Sequence, residues 1–237
     1  MTARRVGILG GTFDPIHQGH LEAGLAAETA LDLMRLLVVT ASVPPHRPQP
    51  LASSYHRFAM VALAVAGRSR WRASDVELRD NERSYTSGTI QKFHDRGYAP
   101  AELFFVIGAD AFAEIATWKD YPSILDSAHF AVVTRPGFPV SDLPDRLPLL
   151  ANRMARPSLD ALAKSKPFIF LIDAPTAAVS STAIRDRCAR GESIAGLVPR
   201  AVQQHIEQHG LYTSMSSGRG ANDRPATQSA SGLHGRD

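Results

Sequence analysis

A short apolar run near the start of the chain ends in two glycines and leads directly into a helical pattern. The run VGIL at residues 6–9 is followed by Gly10, Gly11 and the segment TFDPIHQGH at residues 12–20. Since glycine lacks a Cβ, the backbone of such a turn can approach a phosphate closely, and the helix that follows directs its unpaired N–H groups at the anion. This segment therefore predicts a strand, a phosphate-binding turn and a helix, in that order.

Two histidines lie three residues apart in this segment. If the helix begins near Pro15, His17 and His20 share one face of its first turn and both can reach the same polyphosphate. The same spacing also occurs in metal pairs and in imidazoles that satisfy a buried carbonyl. No Cys or Glu follows at a usual zinc spacing, and the glycine turn provides an anion site beside the pair. We therefore interpret the histidines as phosphate contacts and predict no metal held by protein ligands.

The segment differs from the dinucleotide-binding fingerprint of hydride-transfer enzymes. The GxGxxG pattern requires a third glycine, and Phe13, Asp14 and Pro15 occupy the region where that glycine would stand. A hydride-transfer enzyme is therefore disfavoured.

Apolar runs of strand length recur along the chain, with helical stretches between them. The predicted strands cover residues 5–9, 36–40, 71–78, 103–107, 130–134 and 168–172. The predicted helices cover residues 19–31, 54–66, 86–96, 111–116, 182–190 and 199–209. Near-continuous apolar strands need helices on both faces, so this alternation predicts a Rossmann-like α/β sandwich with a mostly parallel sheet. In such a sheet, ligands bind beyond the carboxyl ends of the strands, at the switch in strand order.

Composition restricts the class of protein. The chain has 237 residues, of which 44% are hydrophobic, which is enough for one core, and we expect a single domain over residues 1–212. The net charge of +3 comes without a compact block of Lys and Arg, so no nucleic-acid groove is indicated. The single cysteine, Cys188, favours a reducing compartment. With no secretory signal and no apolar run of membrane length, we expect a cytoplasmic protein without membrane contact.

Two stretches do not follow the regular pattern. Residues 138–166 contain several prolines and arginines and predict a variable excursion, with a short helix near residues 158–163, that could form a flap or a homo-oligomer contact. From residue 213 to 237 large apolar residues nearly vanish, and we expect a disordered tail.

Two motifs at opposite ends of the chain resemble those of a known superfamily. The segment GGTFDPIHQGH at residues 10–20 resembles the HxGH motif with which nucleotidyltransferases bind the ATP triphosphate, and SSTAIR at residues 180–185 resembles their late SSTxIR motif. Further segments follow the order and approximate spacing of bacterial nicotinate mononucleotide adenylyltransferases: VPPHR at 43–47, SYT at 84–86, IGAD at 107–110, TW at 117–118 and RPG at 135–137. The resemblance extends from about residue 4 to residue 212.

The resemblance implies a reaction that passes AMP from ATP to nicotinate mononucleotide and gives deamido-NAD and pyrophosphate, in NAD biosynthesis. It implies catalytic roles at the ATP phosphates for His17, His20 and Arg185, with His20 at the charge that develops on the α-phosphate. The implied ATP site also contains Gly10, Gly11, Thr12, Phe13, Ser180, Ser181, Thr182 and Ile184. Helix capping alone is an alternative explanation for the hydroxyl residues of the late motif.

The resemblance also implies a mononucleotide site. Trp118 would stack on the nicotinate ring, and main-chain N–H groups near Thr86 and Lys119 would receive the ring carboxylate. Asp110 would contact ribose hydroxyls. The residues implied at this site are His46, Arg47, Thr86, Gly108, Asp110, Trp118, Lys119 and Arg135. Mg²⁺ would be held mostly by phosphates and water.

Three alternatives stay open from the sequence. The acceptor could be phosphopantetheine, although Trp118 with Thr86 disfavours it because that molecule has no aromatic ring to stack. It could also be the amidated nicotinamide mononucleotide, which one sequence does not separate from the acid. A nucleotide-binding regulator without turnover is disfavoured, because the chain keeps both histidines and Arg185.

Overall fold

The computed structural model describes residues 4–43, 49–79, 83–158 and 166–213. The strands are β1 Val6–Gly11, β2 Arg35–Thr40, β3 Trp71–Ser74, β4 Leu103–Gly108, β5 His129–Val133, β6 Met154–Ala155 and β7 Ile169–Ile172. The α-helices are α1 Gln18–Leu31, α2 Ser54–Val65, α3 Thr86–His94, α4 Ala109–Phe112, α5 Leu143–Arg146, α6 Ser181–Ala189 and α7 Arg200–Gln208. Short 3-10 turns cover Pro100–Glu102, Ile115–Thr117, Ser123–Asp126, Val140–Asp142 and Pro148–Arg153.

These seven strands form one sheet in the order β3-β2-β1-β4-β5-β7-β6, and every pair is parallel. Strand β1 lies in the interior, where Leu9 is in register with Val38 of β2 and with Val106 of β4. From β1 the chain adds β2 and then β3 on one side of this strand, and β4 then pairs with β1 on its opposite side. The switch in strand order is therefore between β1 and β4, and the predicted Rossmann-like α/β fold is confirmed.

Two hydrophobic clusters cover the two faces of the sheet. Because successive side chains of a strand point to opposite faces, β4 contributes Phe104 and Val106 to one cluster and Phe105 and Ile107 to the other. The first cluster includes residues of α1, α2, α6 and α7, and the second includes residues of α3 and α4. Both faces of the central strands are thus buried, as their continuous apolar character predicts.

The strand predicted over residues 71–78 is too long. It ends at Ser74, because the Leu78 N–H donates to the Asp75 carbonyl in a turn (2.8 Å). The helix predicted over residues 111–116 is also wrong at both ends. Helix α4 begins earlier, directly after β4, and the chain then tightens into the 3-10 turn Ile115–Thr117.

The excursion predicted over residues 138–166 contains regular structure that the sequence pattern did not indicate. After Val140–Asp142 and α5, the turn Pro148–Arg153 leads into β6, which pairs with β7 and extends the sheet by one strand. The short helix predicted near residues 158–163 falls mostly on residues 159–165, which lie outside the described residues, as do residues 214–237 of the predicted tail. In the described part of the chain, no helix combines the length and apolar character that crossing a membrane requires.

Candidate active site

The turn after β1 is shaped by Phe13, whose side chain folds back over Gly11. Phe13 is buried and has a φ of 51°, in the left-handed region. A Cβ at Gly11 would lie 2.8 Å from the Phe13 ring, so a larger residue cannot stand there while the ring keeps this position. The edge of the same ring packs against the imidazole of His20, with 5.0 Å between centroids.

Asp14 anchors this turn to two distant parts of the chain. Its carboxylate, which is 5% exposed, accepts hydrogen bonds from the N–H groups of Leu51 (2.8 Å) and Ala52 (3.1 Å). It also accepts one from the Tyr212 hydroxyl (2.7 Å). Helix α1 begins at Gln18, one residue before the helix predicted over residues 19–31. A start near Pro15, which would place both histidines on one face of the first turn, is wrong.

His17 is the N-cap residue of α1, and its ring stacks on that of His20 at a centroid separation of 3.7 Å. The backbone N–H of His17 donates to Nδ1 of His20 (3.3 Å). Since Nδ1 accepts this bond, the neutral imidazole of His20 carries its proton on Nε2, which is then a donor. The two histidines are therefore brought together by the cap of α1 rather than by a shared face of its first turn.

His17 is almost fully buried, with 2% of its surface exposed. Burial, aided by the positive charge of Arg135, lowers the pKa of His17 from 6.5 to about 4, so the imidazole is neutral at pH 7. Its Nδ1 is buried and has no hydrogen-bond partner among the described residues. A buried polar atom of this kind usually forms a hydrogen bond, so a ligand or a water molecule is the expected partner.

Arg135 follows β5 and crosses the site from strand β4 to helix α1. A Cβ at Gly108 would lie 2.8 Å from its Cγ, and a Cβ at Gly19 would lie 2.9 Å from its Nη1. The two glycines thus leave the space in which this side chain lies. Its guanidinium is beside the histidines, although the sequence reasoning places Arg135 with the mononucleotide.

The late motif meets the first turn directly. Ser180 caps α6 by accepting from the Ala183 N–H (3.1 Å), as its sequence predicts. The Ser181 hydroxyl donates to the Pro15 carbonyl (2.9 Å), and Arg185 Nη1 donates to the Asp14 carbonyl (2.8 Å).

The Thr182 hydroxyl accepts from Nη2 of Arg185 (3.2 Å), while Ile184 is buried in the core beneath it. The N-termini of α1 and α6, two histidines and two arginines (Arg135 and Arg185) are thus collected around one turn. This arrangement can bind a polyphosphate, because helix N-termini, imidazole N–H groups and guanidinium groups all favour anions.

The segments predicted to bind the mononucleotide lie at the ends of β4 and α3. Thr86 is the first residue of α3. The Lys119 ammonium lies 4.7 Å from the centre of the Tyr85 ring, and this contact brings the segment after α4 next to the start of α3. Trp118 is half-buried and edge-on to Phe105.

Asp110 is exposed in the first turn of α4, with Oδ1 close to Gly108 at the end of β4. His46 and Arg47 lie outside the described residues.

Sequence reasoning missed the residues that hold the site in place. Arg57, which is 1% exposed, donates to the carbonyls of Thr12 (2.7 Å), Ala41 (2.6 Å), Ser42 (3.1 Å) and Ala52 (3.3 Å). The signal was an arginine directly before the apolar run of residues 58–65 in α2. A guanidinium buried there satisfies carbonyls that would otherwise be left without partners.

Glu77 has a similar supporting position next to α3. It is buried and accepts a hydrogen bond from the Thr89 hydroxyl, and burial raises its pKa above the ordinary range. The Ser84 hydroxyl accepts from the Ser42 N–H (2.8 Å) in the same region. These contacts fix the approach to the N-terminus of α3, where the ring carboxylate is predicted to bind.

Known proteins resemble this chain in sequence. The model of the cytidylyltransferase-like family matches residues 8–187. A protein of Escherichia coli O17:K52:H18 named "Probable nicotinate-nucleotide adenylyltransferase" is 36% identical over 206 residues, which cover 86% of this chain and 97% of that protein. A protein of the same name from Moorella thermoacetica is 39% identical over 210 residues, which cover 88% of this chain and 91% of that protein.

Solved structures also resemble it. The nicotinic acid mononucleotide adenylyltransferase of Plasmodium falciparum complexed with NaAD matches with a TM-score of 0.63 at 18% identity, covering 88% of this chain and 97% of the other. The same protein complexed with APC has a TM-score of 0.62 over the same shares. At this identity the likeness shows a common fold.

Proposed function

This chain belongs to the cytidylyltransferase-like family, and we propose that its reaction transfers AMP from ATP to nicotinate mononucleotide, with deamido-NAD and pyrophosphate as products. Relatives named for this activity are 36% and 39% identical over nearly their whole length, and they support its place as a nucleotidyltransferase of NAD biosynthesis. The observation that carries the proposal is the meeting of His17, His20 and Arg185 around one turn at the carboxyl end of β1.

The chemistry requires positioning more than covalent participation. A phosphate oxygen of the mononucleotide attacks the α-phosphorus of ATP, a new P–O bond forms, and the bond to the pyrophosphate oxygen breaks. The protein contributes by aligning both substrates and by stabilising the negative charge that moves onto the leaving group. No nucleophilic side chain is needed for this direct transfer.

His20 is the proposed donor to the α-phosphate. Because its Nδ1 accepts the His17 N–H, its Nε2–H is oriented as a donor by the helix cap itself. His17 is neutral and buried, so its role is a hydrogen bond rather than a charge. Positive charge comes instead from Arg185 and Arg135, which approach from α6 and β5.

The glycine turn, Thr12 and the hydroxyls of Ser180, Ser181 and Thr182 complete the proposed triphosphate site. Ser181 and Arg185 already bond carbonyls of the first turn, which fixes α6 beside α1 before any substrate arrives. Preorganisation of this kind lowers the cost of ordering the site during the reaction.

The proposed nicotinate site lies between α3 and the segment after α4. The first N–H groups of α3 at Thr86 favour a carboxylate, and Lys119 beside Tyr85 adds a positive charge nearby. These features support the acid over the amidated mononucleotide. Trp118 would present its face to the ring, and Asp110 would receive ribose hydroxyls.

Mg²⁺ is proposed to enter with ATP and to be held by phosphates and water, as this small hard cation prefers. The expected cytoplasmic location, the possible homo-oligomer and the expected disordered tail stay predictions.

Pyrophosphate release with ATP and each of three acceptors tests the proposal: nicotinate mononucleotide, nicotinamide mononucleotide and phosphopantetheine. The highest kcat/KM is expected with nicotinate mononucleotide. A preference for either other acceptor would contradict the substrate assignment, and binding of ATP without turnover would favour the regulator.

A further inference from the structure

Three histidines far apart in the sequence meet between the helices α2 and α7. His56 is in the first turn of α2, His205 is in α7, and His209 caps the C-terminus of α7. The sequence reasoning missed this cluster because 149 residues separate His56 from His205. Its residues differ from those of the proposed phosphate site, whose histidines are at the start of α1.

We propose that His56, His205 and His209 form a binding site for a transition-metal dication, with Zn²⁺ as the primary candidate. Each residue offers one ring nitrogen, and these three nitrogens all lie within 4.8 Å of one another. Imidazole is the preferred nitrogen ligand of Zn²⁺, and three imidazoles with a fourth position for water is an established zinc arrangement.

The distance between His56 and His205 fits the coordination geometry of zinc, and the distances to His209, which are at most 4.8 Å, must shorten when an ion binds. Zn–N bonds of about 2.0–2.1 Å place two nitrogens of a tetrahedron about 3.3–3.4 Å apart. Nδ1 of His56 and Nε2 of His205 are 3.1 Å apart, which is close to this value. His209 is exposed at the helix end, so its ring can rotate to complete the set.

The packing of the two helices brings these three residues together without the ion. Met60 of α2 belongs to the same hydrophobic cluster as Val202 and Ile206 of α7, so the helices pack closely. His205 and His209 are one helical turn apart and therefore lie on the same side of α7.

An ion at this site would join the end of the described chain to the active-site framework. Arg57, next to His56, holds the Thr12 and Ala41 carbonyls, and Tyr212 beyond α7 bonds Asp14. The inferred role is a stabilising clamp between α2 and α7.

Isothermal titration of the untagged full chain with Zn²⁺ tests the proposal, together with His56→Gln, His205→Gln and His209→Gln variants. One ion per chain is expected to bind at the cluster in the wild type. Each variant is expected to weaken this binding tenfold or more, since changing even the residues that orient metal ligands costs about 10–100-fold. His209→Gln decides the matter if the others fail to fold, because His209 is exposed.

Matched controls separate this cluster from other histidines. His94→Gln, in α3, is expected to keep wild-type Zn²⁺ affinity. Replacing Zn²⁺ with Co²⁺ should give the visible absorption of a nitrogen-ligated ion in the wild type and in His94→Gln, and lose it in the cluster variants. Mg²⁺ should not compete, because it prefers oxygen ligands.

Zn²⁺ should also raise the Tm of the wild type and of His94→Gln, and leave that of His209→Gln nearly unchanged. Absence of saturable binding at micromolar Zn²⁺ would overturn the proposal. Undiminished affinity in all three cluster variants would overturn it as well, because the ion would then lie elsewhere.

Discussion

Replacing Tyr212 by Phe removes one hydroxyl and tests whether the end of the described chain supports the phosphate-binding turn. Tyr212 is 4% exposed, and its hydroxyl donates to the Asp14 carboxylate at 2.7 Å. A hydrogen bond to a charged acceptor contributes about 1.5–3 kcal/mol, and the ring packing is kept in Phe. We expect the free energy of unfolding to fall by about 2 kcal/mol, since the other two donors to Asp14 remain.

Urea denaturation followed by circular dichroism measures this change, and Tyr55→Phe is the matched control. Tyr55 is 84% exposed, so the same substitution there should change the free energy of unfolding by less than about 0.5 kcal/mol. For a domain of this size the Tyr212→Phe loss corresponds to a fall in Tm of about 4–8 °C. Equal stability of Tyr212→Phe and Tyr55→Phe would refute the anchoring of Asp14 by the end of the chain.

Three further predictions concern the site and its titration. His20→Ala should lower kcat about 100-fold or more in the pyrophosphate assay with the fold intact, because a donor to developing charge is lost; near-normal turnover would contradict its role. Trp118→Ala should raise the KM for nicotinate mononucleotide about tenfold and leave that for ATP little changed, whereas an equal loss for both would contradict stacking. Burial lowers the pKa values of His17 and His129 to about 4 in the folded chain. Between pH 6.5 and 4 the unfolded chain therefore binds more protons than the folded chain, and the free energy of unfolding falls as the pH drops through this window. His129→Asn should make the decline of the free energy of unfolding, measured by urea denaturation, shallower by about 1 kcal/mol per pH unit. An unchanged slope would contradict the linkage.

The sheet was predictable because its strands are buried on both faces. Continuous apolar runs such as residues 103–107 indicate parallel strands without any long-range information, and the observed β4 differs by one residue. The two-residue β6 was not predictable, because so short a strand has no periodicity and depends on pairing with β7.

The candidate site was predictable where a motif places residues that can bind phosphate at the end of a strand. His17, His20 and Arg185 could be found because their residue types suit phosphates. The two histidines follow β1, and Arg185 lies near the start of α6. Asp14 and Arg57 could not be assigned from the sequence, because their roles depend on distant partners. Those of Asp14 are 37, 38 and 198 residues away, and those of Arg57 are up to 45 residues away. Long-range contacts of this kind leave no local pattern.

The central claim is that side chains from the start and the end of the chain contact one ATP. Nitrogen-detected NMR of ¹⁵N-labelled histidine and arginine side chains, titrated with a non-hydrolysable ATP analogue and Mg²⁺, tests it directly. Spectra of His20→Gln and Arg185→Gln would assign the two signals. The account predicts that His20 Nε2 and the Arg185 guanidinium shift together, with one dissociation constant, at one analogue per chain. A shift of only one of them, or two different dissociation constants, would contradict it.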